Sequence, residues 1–76
     1  MRFRVSAVDA PLTVQFEPSG MEYELSPGEY MDVELPPVAL SEIAGDVDYG
    51  PGMVTVSARG RGFARAWNAE GIEVTT

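Results

Sequence analysis

Asp46 and Asp48, two residues apart and followed by Gly50, place two carboxylates before a glycine turn. That is a fragment of a calcium-binding loop, in which hard oxygen donors gather around a tight bend. The downstream glutamate of a complete loop is missing and Pro51 interrupts the pattern, so the alternative is a hairpin arm with two outward aspartates. Glu22, Glu24, Asp32 and Glu34 form a second acidic group. If residues 20–25 pair with 29–35 across Ser26-Pro27-Gly28, the four carboxylates share one strand face. Like charges on neighbouring strands are destabilising, so such a face suits a basic partner, a divalent cation or the arginine-bearing ends of another copy. It equally suits a plain solvated surface that resists aggregation. The third group is Phe63, Arg65 and Trp67, which alternate with Ala64 and Ala66. Turned outward, they make an aromatic–cation–aromatic strip fit for binding. Turned inward, they give a small core its largest side chains and leave Arg65 in need of a carboxylate. The inward register is the one expected here, with an even-length loop from Val54 and Val56.

Covalent catalysis finds no support. The chain has no cysteine, no histidine and no lysine, so its serines lack an activating base. Paired carboxylates need a concave site that separates their pKa values, and 76 residues leave room for one thin core rather than a deep cleft. A non-enzyme without cofactors is expected. The net charge is −7, which disfavours nucleic acid and anionic membrane surfaces as partners. Residues 5–58 carry ten acids and no base, whereas all five arginines lie toward the two ends of the sequence. This segregation favours a protein partner or a homo-oligomer in which arginines of one copy meet acids of another.

These groups must be positioned by strands. Alternation of period two places Phe3, Val5 and Ala7 on one face, and likewise Leu12, Val14 and Phe16; Met21, Tyr23 and Leu25; Met31, Val33 and Leu35; and Val54, Val56 and Ala58. Proline- and glycine-containing turns separate the runs, and the first four read as a meander of hairpins. Val47 and Tyr49 alternate with Asp46 and Asp48 before the Gly50-Pro51-Gly52 turn, and Phe63 to Trp67 and Ile72 to Val74 complete the set. Residues 36–46 are the ambiguous stretch. Pro36-Pro37 ends a strand, and Val38 to Ala44 fits either a short helical turn capped by Gly45 or an extended crossing segment. The expected fold is a single all-β domain over residues 1–76, a small antiparallel sandwich or barrel of seven to eight short strands. The absence of cysteine and of an unbroken apolar leader agrees with a cytoplasmic protein.

The stretch Phe16-Glu17-Pro18-Ser19-Gly20-Met21-Glu22-Tyr23-Glu24-Leu25-Ser26-Pro27-Gly28-Glu29 resembles a signature, E-P-x-G-x-E-Y-x-L-x-P-G-E, of small acidic bacterial β-proteins. The resemblance implies further β-hairpins and no particular activity. Prolines and glycines in such a signature set two turns, and Tyr23 and Leu25 fill the core between them. The functional expectation is therefore a non-catalytic interaction or self-assembling module, with a small-ligand binder for a divalent cation or a carbohydrate as the alternative.

Overall fold

The computed structural model describes all 76 residues and contains eight strands and no helix. They are β1 (Arg2–Ser6), β2 (Leu12–Glu17), β3 (Met21–Leu25), β4 (Tyr30–Glu34), β5 (Gly45–Gly50), β6 (Met53–Ala58), β7 (Arg65–Asn68) and β8 (Glu73–Val74). Two four-stranded sheets form, with orders β1-β4-β7-β8 and β3-β2-β6-β5; we term them the first and second sheets. All neighbours are antiparallel except β2 and β6. The protein is a small all-β sandwich.

Each strand carries its apolar alternation on the face turned to the other sheet. Val14, Phe16, Val54 and Val56 of the second sheet and Met31, Val33, Leu35 and Ala66 of the first are buried. Partly buried Phe3, Val5, Leu12, Tyr23 and Val47 border them. No polar or charged residue lies in the core. Each fully buried large apolar side chain contributes about 1.5–3 kcal/mol relative to exposure, which is why so thin a layer suffices. Gly45 is required by close approach: a Cβ there would lie 2.3 Å from the carbonyl oxygen of Ser57 and 2.9 Å from Leu35 Cδ1.

Two expectations need correction, and one open alternative is decided. The first four strands are not a meander. β2 and β3 form a hairpin through Pro18-Ser19-Gly20, with Gly20 at φ 78°, but β4 pairs with β1 instead of β3. Ser26-Pro27-Gly28 is a crossing between sheets. Gly28 N–H donates to Ala7 O (2.8 Å) and Ala7 N–H to Glu29 O (2.9 Å), so β1 captures the chain as it leaves the bend. Opposite charges favour this partner, since Arg4 faces Asp32 and Arg2 faces Glu34. The stretch from Val38 to Ala44 is the extended crossing segment, with one turn closed by Glu42 N–H on Ala39 O (2.9 Å). Gly45 opens β5 and caps no helix.

The second correction concerns Phe63, Arg65 and Trp67. β7 sits beside β4, with Val33 opposite Ala66 and Asp32 opposite Trp67. β6 lies in the other sheet, so the length of the β6–β7 loop does not set the register; β4 does. Ala64 and Ala66 are buried, Phe63 and Arg65 are exposed, and Trp67 is half-buried. The outward arrangement spares the core an unpaired guanidinium, which costs several kcal/mol.

Candidate functional site

The outer face of the first sheet is a lattice of arginines, carboxylates and aromatic rings. Across the strands, one row reads Arg2, Glu34, Arg65 and the next Arg4, Asp32, Trp67, Glu73. Arg4 meets Asp32 through two hydrogen bonds of 2.7 and 3.2 Å, and Arg65 meets Glu73 through two of 2.9 and 2.7 Å. The Arg4 guanidinium stacks on Tyr30 at 3.8 Å. Trp67 lies under Arg2 at 4.2 Å and Arg65 at 5.0 Å. Hydrogen bonds from the arginines hold the Asp32 and Glu73 carboxyls below their ordinary pKa and raise Arg4 and Arg65. Three arginines thus balance three acids, and the Arg65–Trp67 part of the anticipated strip is occupied by its own neighbours. Phe63 alone stays free of it, 70% exposed beyond the start of β7.

The outer face of the second sheet is acidic. It carries Glu22 and Glu24 from β3, Glu17 from β2 and Asp46 and Asp48 from β5, interleaved with Thr13, Gln15, Thr55 and Ser57. The anticipated quartet is therefore divided: Glu22 and Glu24 lie on this face, whereas Asp32 and Glu34 lie on the outside of the opposite sheet. Asp46 and Asp48 share a face, but Arg59 grips Asp46 through bonds of 2.8 and 3.1 Å and lowers its pKa. No group of three or more acidic, histidine or cysteine side chains converges there or elsewhere. Two carboxylates, one already neutralised, fall short of the six to eight oxygen donors calcium takes.

One end of the sandwich differs from both faces. β4 ends and β5 begins there, as β6 ends and β7 begins, so the crossing segments Pro36–Ala44 and Arg59–Ala64 lie together. Their contact is close: a Cβ on Gly60 would lie 2.9 Å from Val38 Cγ1. The β2–β3 turn and the last residues join them. The Ser19 hydroxyl donates to the main-chain oxygen of Thr76, whose own hydroxyl donates to Ala64 O. Phe63 lines an open hollow together with Pro18, Ser19, Thr75 and Thr76. Leu40 is wholly exposed at 108%, and Ile43 is 61% exposed. Between the two segments runs a shallow hollow lined by Pro37, Val38, Ala39, Glu42, Arg59 and Arg61. Arg61 takes no part in the three ion pairs of the chain.

Leu40 and Ile43 were outside every candidate site drawn from the sequence. The signal was present: between Pro36-Pro37 and Gly45 the chain is mainly apolar with no alternation of period two. Such a stretch has apolar side chains but no strand to turn them inward.

No protein family, curated protein or solved structure matches the chain.

Proposed function

We propose that the protein is a non-catalytic protein-interaction module that uses this loop-bearing end as its contact surface. The observation that carries the reading is the position of Leu40, Ile43 and Phe63. Scattered exposed apolar residues are ordinary, but these three share one end of the fold on segments packed against each other. An exposed phenylalanine near an unpaired arginine matches the composition of protein contact centres, where aromatic side chains and arginine are enriched, and Leu40 and Ile43 add exposed apolar area to the same end. The outer faces support the same reading by contrast. One is internally neutralised and the other is polar and acidic, a surface that repels non-specific partners.

A cation or sugar ligand is the less supported reading, because Arg59 holds Asp46 and two guanidiniums cover Trp67. Site-specific photocrosslinking in cells of the source organism tests the proposal. A photoreactive residue at position 40 is expected to give a discrete protein adduct that Phe63→Ser or Ile43→Ser removes. The same residue at Thr55, on the outer face of the second sheet, is expected to give none. Equal adducts from both positions, or none from position 40, would overturn the assignment.

A further inference from the structure

A sandwich has two sides along which its sheet edges run. On one side β8 and β3 close against each other: the Tyr23 hydroxyl donates to Thr75 O and the Ser19 hydroxyl to Thr76 O. The other side carries β1 and β5, edge strands of five and six residues. No side chain hydrogen-bonds to the backbone of either. Uncovered edges of this length are pairing templates.

Both strands begin at the same level. Leu35 N–H donates to Met1 O at 2.7 Å, and Gly45 packs on the Leu35 side chain. β1 and β5 therefore run in the same direction, one in each sheet. Their free backbone groups follow from the ladders. Met1 and Leu35 exchange hydrogen bonds, so Phe3 and Val5 also face β4, leaving the N–H and C=O of Arg2, Arg4 and Ser6 pointing to the open edge. Arg59 N–H donates to Ala44 O at 3.0 Å. By the same alternation Asp46 and Asp48 face β6, and Gly45, Val47 and Tyr49 point to the open edge. An outward-facing arginine of β1 thus offers its backbone where an outward-facing aspartate of β5 withholds it. Antiparallel pairing needs facing residues that both offer or both withhold, so it is excluded. Parallel pairing sets an offering residue beside a withholding one, which is what these edges present.

The geometry points to a homodimer with its two-fold axis along the strands, in which β1 of each copy adds in parallel to β5 of the other. Two eight-stranded sheets result. Because Met1 and Gly45 lie at one level, rotation without sliding sets Arg2 beside the partner's Asp46, Phe3 beside the partner's Val47, Arg4 beside the partner's Asp48 and Val5 beside the partner's Tyr49. Charges meet opposite charges on the outer faces, and apolar side chains meet on the inner ones. The row Arg65, Glu34, Arg2 continues its alternation of sign into the partner's Asp46. Tyr49 is 82% exposed in the single chain although its register is core-facing; the dimer covers it. An axis along the strands also directs both loop-bearing ends the same way, so a partner with two sites would bind with avidity. The dimer itself does not depend on that end having a partner.

Light scattering and sedimentation over a range of concentrations test the dimer. The unmodified protein is expected to dimerise, and Asp48→Lys to raise the dissociation constant about tenfold or more, since a charge pair becomes a repulsion. Glu24→Lys makes the same charge change on the closed side and is expected to leave it unchanged. A second variant, Ser6→Cys/Gly50→Cys, places cysteines beside each other across the two copies. Gly50 has open space for a side chain, and the chain has no cysteine of its own. Within one chain the two positions lie on separate sheets, about 10 Å apart, too far for a disulfide. Oxidation is expected to give a covalent dimer on a non-reducing gel, with unchanged far-UV circular dichroism confirming the fold. A monomer at millimolar concentration, a dimer indifferent to Asp48→Lys, or cysteines that leave the chains unlinked would overturn the inference.

Discussion

Gly45→Ala tests the close packing of β5 against both sheets. The added Cβ would lie 2.3 Å from Ser57 O, 2.9 Å from Leu35 Cδ1 and 3.3 Å from Ala58 Cα. Two of these atoms, the nearest among them, belong to the backbone of β6 and cannot swing aside as the Leu35 side chain could. Relief requires β5 to move by about an ångström, which strains its ladder and opens the packing over Leu35, 1% exposed. Overpacking of this kind costs about 1–3 kcal/mol. Replacing glycine by alanine in a strand returns only about 0.5–1 kcal/mol through the unfolded chain. The net expectation is a loss of roughly 1–2 kcal/mol, a large share of the ~4–11 kcal/mol that a domain of this length holds. Gly50→Ala is the internal control. Nothing lies within 4 Å of its Cβ position, and its φ is outside the left-handed region, so the change is expected to be neutral or stabilising by up to about 0.5 kcal/mol. Urea unfolding followed by Trp67 fluorescence measures both midpoints. A Gly45→Ala protein as stable as Gly50→Ala would refute the β5 packing described here.

Other predictions follow from the faces and the core. Val33→Ala, at a site with no exposure, is expected to cost about 2 kcal/mol in the same assay, whereas Phe63→Ser is expected to change stability by less than about 0.5 kcal/mol. Arg2→Ala uncovers one side of Trp67 and is expected to increase acrylamide quenching of its fluorescence; an unchanged quenching constant would contradict the stack. Asp32, Asp46 and Glu73 have folded pKa values below their unfolded ones. Their contribution is therefore present above the unfolded carboxylate range, near pH 4, and lost as pH falls through the lower folded values. The melting temperature should stay level from pH 7 to about 5 and drop below about 4. In Arg4→Ala, carbon NMR should show the Asp32 titration moving up toward the ordinary aspartate value.

Strand positions and facing were legible because period two reports them directly. Val14 and Phe16, Met31 and Val33, and Val54 and Val56 all lie where alternation puts them. Partners were less legible, because alternation states which side chains face inward and says nothing of which strand lies alongside. Ser26-Pro27-Gly28 has the chemistry of a hairpin turn and serves as a crossing. The deciding clue was charge: β3 beside β4 would have set acids against acids, while β1 beside β4 sets Arg4 against Asp32 and Arg2 against Glu34. The same assumption of sequential pairing misplaced Phe63 and Trp67, whose facing is set by β4. The apolar stretch between Pro36-Pro37 and Gly45, with no alternation of period two, signalled apolar side chains without a strand to turn them inward, but which of them stand exposed, Leu40 and Ile43, follows from the path the crossing segment takes over the end of the sandwich.

Amide hydrogen exchange, measured alone and with the protein that a photoreactive residue at position 40 captures, tests the proposed contact surface most directly. Protection is expected to rise in Val38–Ala44 and Arg59–Phe63 and to stay unchanged in the β2 and β6 amides at the centre of the second sheet. Protection that leaves both crossing segments unchanged would contradict the assignment of this end of the fold as the contact surface.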